Sequence, residues 1–116
     1  MRFGRCFVEF GSLGAAWEAN FSSAYTKLAL DAGKAYSNPK LPIFVALGPF
    51  ENLKLGAALN VSIAAINAAG GNAVYLDIIT PTSAAHDGCG GHPGLRGHAA
   101  MADRAIPQIA SKMGWQ

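Results

Sequence analysis

The order of strand-like and helix-like segments predicts an α/β protein with a partial parallel sheet. Three observations carry that expectation. Leu41–Leu47 (LPIFVAL) is apolar at nearly every position, as a strand covered on both faces should be. The segments before and after it repeat their apolar residues at spacings of three and four, the helical period. A third strand-like run, Ala73–Ile79 (AVYLDII), follows directly on Gly70 and Gly71, which stop the preceding helix.

Taken in order, Arg5–Phe10 (RCFVEF) is rich in β-branched and aromatic residues and closes on Gly11, which predicts a first short strand. Glu9 fits that strand either near an edge or end, or facing a partner group, because an unpaired carboxylate is costly to bury. From Trp17 to Tyr36 the residues Trp17, Phe21, Ala24, Tyr25, Leu28, Ala32 and Ala35 share one side of a helix. Ser37, Asn38 and Pro39 end it, since proline disfavours helical backbone in the residue before it. Leu41–Leu47 is then the central strand, ended by Gly48 and Pro49. Leu55–Ala69 is a second helix with Leu55, Leu59, Ile63 and Ile66 aligned. After Ala73–Ile79 a long connection, Thr80–Gly97, leads to a last helix starting near Gly97 and His98. That helix carries Ala102, Ala105, Ile106, Ile109 and Met113 on one side, with a kink or short break expected at Pro107. Strand, helix, strand, helix, strand, loop, helix implies right-handed crossovers and parallel pairing.

Composition narrows the classes of function. At 116 residues the chain has room for one domain. Nine basic against seven acidic residues leave a formal charge of +2 with no basic run, so nucleic acid and anionic membranes are not expected partners. No apolar run reaches the length of a membrane span, and the N-terminal segment lacks the apolar core of a signal peptide. Charged residues are only 14% of the chain, against roughly 25% in an average domain. So thin a charged layer predicts a covered face, either the interface of a homo-oligomer or a surface meant for further polypeptide. The two cysteines, Cys6 and Cys89, fall at opposite ends of a parallel sheet, so they are expected as free thiols or as partners of something outside this chain.

The chemically able residues concentrate in His86–His98 (HDGCGGHPGLRGH), after the C-terminal end of a strand, where open α/β sheets place ligands. His92, followed by Pro93 and set among four glycines between Gly88 and Gly94, is the candidate general base. Asp87 either orients that imidazole or shapes an Asp-Gly turn. Ser12, in a glycine-flanked turn after the first strand, either supplies a nucleophile or shapes its turn. Cys89 and His92 have the spacing of a chelate, but a structural zinc needs four ligands and no second pair of matching spacing occurs, so no metal is expected. No glycine-rich phosphate-binding motif is present, so no nucleotide cofactor is expected either.

The stretches Ala73–Thr80 (AVYLDIIT) and Asp87–Ala102 (DGCGGHPGLRGHAAMA) resemble the last catalytic block of the SGNH/GDSL hydrolase superfamily. The likeness is nearest to carbohydrate esterase family two, the acetyl-xylan esterase-like enzymes. The His-Pro pair of that block corresponds to His92 and Pro93, and its later Gly-His to Gly97 and His98. The resemblance implies a flavodoxin-like three-layer α/β/α sandwich and a serine-type ester hydrolase acting on a small ester or acetylated carbohydrate. It also implies a family whose members are often secreted. Two departures accompany it: no G-D-S segment precedes Arg5–Phe10, and Leu13 stands where the family's oxyanion-holding Asn would fall. On this reading residues 1–116 form a single partial domain corresponding to the second half of the family's fold. The alternative is a truncated, non-catalytic α/β scaffold that self-associates.

Overall fold

A computed structural model of the protein describes residues 14–48, 53–78 and 88–115. The elements are α1 (Ala15–Ala35), β1 (Pro42–Val45), α2 (Leu53–Ala68), β2 (Asn72–Tyr75), a 3₁₀ turn (Cys89–Gly91) and α3 (Leu95–Met113). Helices and strands alternate, and β1 and β2 form a small parallel two-stranded sheet flanked by helices. The expected first strand, Arg5–Phe10, lies outside the described residues. The described residues fall into two compact units, 14–43 with 53–73, and 44–48 with 74–78 and 88–115.

In the first unit α1 packs on α2. Its helical period was legible in the sequence, but the buried face is a different one. Ser22, Ala29 and Gly33 are the buried residues of α1, while Leu28 is 66% exposed. Small side chains at these positions let two helix backbones approach closely. The Ser22 hydroxyl donates to the carbonyl oxygen of Ala58 on α2 at 3.2 Å. Ser62, fully buried, donates to the same oxygen at 2.8 Å, so each buried hydroxyl has its acceptor. Thr26 Oγ1 is the exception among the described residues, buried without a partner. Ala58, Leu59 and Ile66 supply the buried apolar face of α2. Along α1 the half-buried Trp17, Phe21 and Tyr25 stack in succession, with ring centroids 5.2 and 5.5 Å apart, as spacing by four allows.

All three α-helices among the described residues end in the same motif, in which a residue at the helix end takes left-handed backbone and two N–H groups turn back onto the last carbonyls. In α2 Gly70 (φ +88°) donates to Asn67 and Gly71 to Ile66. In α3 Gly114 (φ +68°) donates to Ser111 and Trp115 to Ala110. In α1 the left-handed position is filled by Ser37 (φ +52°), which donates to Lys34 while Asn38 donates to Gly33. An L-residue with a Cβ pays about 1–2 kcal/mol for that conformation. The returning chain explains Gly33: a Cβ there would lie 3.1 Å from the Asn38 carbonyl oxygen.

In the second unit Val45, Leu47 and Leu76 are buried, and the Leu76 N–H donates to the Val45 carbonyl at 2.8 Å. The helix α3 begins at Leu95, two residues before the expected start, and runs through Pro107 without the expected break. Its buried residue is Gly97; of the apolar stripe read in the sequence, Ala105 and Ile109 are half-buried while Ala102, Ile106 and Met113 are exposed, so the stripe is covered only in part. No described helix is long and apolar enough to cross a membrane.

Candidate functional site

The loop before α3 is shaped by its glycines. The Gly88 N–H donates to the His92 carbonyl at 2.9 Å, and the His92 N–H returns to the Cys89 carbonyl at 3.3 Å. This closure brings the chain so near itself that a Cβ on Gly88 would lie 2.7 Å from the His92 oxygen. Gly90 and Gly91 take positive φ of 66° and 79°, which side chains resist. A residue with a side chain at any of the three would strain the loop, so the glycine cluster encodes a defined turn.

His92 follows this turn in extended backbone (φ −76°, ψ 158°), and its side chain is exposed. The loop therefore presents an imidazole at the surface on a closed backbone ring. His98 lies on α3, also exposed, with its N–H bonded to the Gly94 carbonyl in the first helical turn. Cys89 is an exposed free thiol, while Cys6 lies outside the described residues. Ser12, Asp87 and His86 lie outside them as well, so their positions relative to His92 are not part of the described geometry. Among the described residues no three His, Cys, Asp or Glu side chains converge on a common point.

A second constellation, not singled out in the sequence, lies just past β2. Gln108 on α3 treats the backbone of Asp77 as a neighbouring strand would. Its Oε1 accepts the Asp77 N–H at 3.0 Å and its Nε2 donates to the Asp77 carbonyl at 2.8 Å. The other Nε2 proton goes to the Arg104 carbonyl at 2.6 Å, so the amide is fully used. Arg104 in turn pairs with the Asp77 carboxylate. One turn separates Arg104 from Gln108, which lets both reach the same residue. Gln and Arg on a helix read as solvated surface, so nothing in the sequence distinguished them. Above this clamp, Phe44, Val74 and Tyr75 from the strands and Pro107, Gln108 and Lys112 from α3 line an open depression of about 470 Å³.

In comparisons with known proteins, no family model, curated protein or solved structure matches the chain. The likeness of the His92 loop to the esterase block thus rests on the residues quoted for it.

Proposed function

We propose that this protein is a non-catalytic α/β scaffold that associates with copies of itself. The observation that carries this reading is large apolar surface on both units. Leu28 on α1 and Val61 on α2 are 66% and 59% exposed. Leu95, Ile106 and Trp115, on and just after α3, are more than half exposed as well. With so few charges to hold these side chains in water, covering them by a second copy removes apolar area at roughly 25 cal/mol per Å². Sedimentation equilibrium at micromolar protein tests the reading: a dimer or larger assembly is expected, weakened by Ile106→Glu or Val61→Glu. A monomer across that concentration range would end it.

The second reading, a serine-type ester hydrolase, is favoured by the exposed imidazole of His92 on its closed loop. In it Ser12 attacks the acyl carbon of a small ester or acetylated carbohydrate. His92 takes the hydroxyl proton and returns it to the leaving alcohol, Asp87 orients the ring, and water then attacks the acyl-serine, freeing the acid and restoring the Ser12 hydroxyl. Hydrolysis of p-nitrophenyl acetate by the wild type and His92→Ala separates the two readings. Equal rates remove the enzyme, and a loss of two or more orders of magnitude in the variant would favour it.

A further inference from the structure

The first unit contains a cavity of about 390 Å³ where α1 and α2 end and the two strands begin. This is within the roughly 300–1,000 Å³ of pockets that take small molecules. Its walls are apolar, with Leu30 from α1, Leu41 and Ile43 from β1 and its approach, and Ile66 from α2. Neither Leu28 nor Val61 lines it, so it is separate from the surface invoked for self-association.

Several polar groups at its rim are already in use. The N–H groups of Ser37, Gly70 and Gly71 are bonded to helix carbonyls. The Asn72 side chain donates to the Lys40 carbonyl at 3.0 Å. Lys34 lies 3.4 Å from Asp31, and its charge also offsets the partial negative charge of the two helix C-termini that meet here. Lys34, the charged side chain among the lining residues, is thus already paired, and the lining offers no unpaired charge for an ionic ligand.

Ser37 is one of the lining residues and stands at the exposed rim, where its hydroxyl, with no hydrogen-bond partner among the described residues, is open to solvent or to a bound molecule. Ser37 also occupies the left-handed helix-ending position that α2 and α3 give to glycine. The fold alone would be better served by glycine there, and strained backbone of this kind clusters at binding sites.

We propose that this cavity binds a small, uncharged, mostly apolar molecule bearing one hydroxyl, with Ser37 as its hydrogen-bond partner. The apolar walls take the body of the ligand, and the rim hydroxyl reads its polar end.

Titration of the full chain with 1-naphthol, followed by calorimetry, tests the site. Saturable one-to-one binding is expected, with naphthalene, 1-naphthoate and 1-naphthylmethylammonium each binding more weakly. Ser37→Gly should raise the thermal midpoint yet weaken 1-naphthol by roughly three- to tenfold, leaving naphthalene unaffected. Ala69→Trp, which fills the mouth from an exposed position, should abolish binding of both. The proposal is overturned by absence of saturable 1-naphthol binding, by unchanged affinity in Ser37→Gly, by tighter binding of either charged probe, or by binding that survives Ala69→Trp.

Discussion

The two units are held by different means. In 14–43 with 53–73, stability comes from closeness: Ser22 on α1 and Ala58 and Ser62 on α2 are buried, and the turns that end α1 and α2 leave no room for a further carbon at Gly33 and Gly71. In 44–48 with 74–78 and 88–115, fewer side chains are buried, and α3 engages the end of β2 through a side-chain amide and an ion pair. Close packing fails sharply when volume is added, whereas a polar clamp fails when a partner is removed and the other group is left unpaired. Each unit contains one tryptophan, Trp17 and Trp115, so Trp115→Phe and Trp17→Phe backgrounds report on them separately.

The largest effect is expected from adding volume to the first unit at Gly71. A Cβ there would lie 2.5 Å from Ile66 Cγ2 and 2.9 Å from the Ile66 backbone oxygen. The oxygen cannot move without opening the helix-ending turn, in which Gly71 donates to it at 2.9 Å. Gly71→Ala should cost about 1–3 kcal/mol, and Gly71→Val more, as a lowered urea midpoint of Trp17 fluorescence. Tolerance of both substitutions would mean that the first unit is not closely packed, and the contrast between the units would fall.

Next comes removal of the clamp. Gln108→Leu preserves volume but removes the two hydrogen bonds that Gln108 makes to the Asp77 backbone, an expected cost of about 1–3 kcal/mol. Gln108→Glu should recover little, because a carboxylate accepts the N–H but has no proton for the carbonyl. If Glu performs as well as Gln, the two-way bond to Asp77 is not what holds α3 in its unit. Arg104→Gln should cost far less, since both members of that ion pair are nearly half exposed.

This difference also explains which parts of the structure were legible in the sequence. Helix existence and helix ends were readable because they depend on local rules: spacing by three and four, Gly70 after α2, and Pro39 after α1. Which face each helix buries was not, because the apolar-stripe rule assumes that large side chains go inside. In α1 the small ones do: Ser22 is covered where it bonds to α2 and Gly33 where the chain returns over it at Asn38, while Leu28 is exposed. In α3 the same rule held only in part: Ala105 and Ile109 are half-buried, Ile106 is exposed, and the polar contacts to Asp77 come from Arg104 and Gln108. Pro107 left the helix intact, since losing one donor to the Asp103 carbonyl is a smaller change than breaking α3. In the candidate loop, the need for glycine was legible as composition. Its cause, the 2.7 Å approach at Gly88 and positive φ at Gly90 and Gly91, is a property of the folded backbone. Ser37 was read only as part of a helix stop, because left-handed backbone at a serine leaves no mark in sequence.

The smallest effect concerns charge on the outer face of α1. Asp31 pairs with Lys27 and lies 3.4 Å from Lys34, and these hydrogen bonds hold its carboxyl below its ordinary value of 3.8. A depressed carboxyl contributes stability that is present above the ordinary value and is lost as the pH falls through the folded one. Acid should therefore weaken the first unit slightly below about pH 4, and Asp31→Asn should remove that part of the slope while lowering stability near neutrality. The effect must be small. All three side chains face water, and lysine N-terminal to aspartate is the weaker order for a pair spaced by four. Added salt should erase it, leaving the Gly71 variants as defective as before, because screening acts on exposed charges and not on steric overlap. A salt-sensitive Gly71→Ala defect would place the first unit's stability in its surface charges and reverse the comparison with the second.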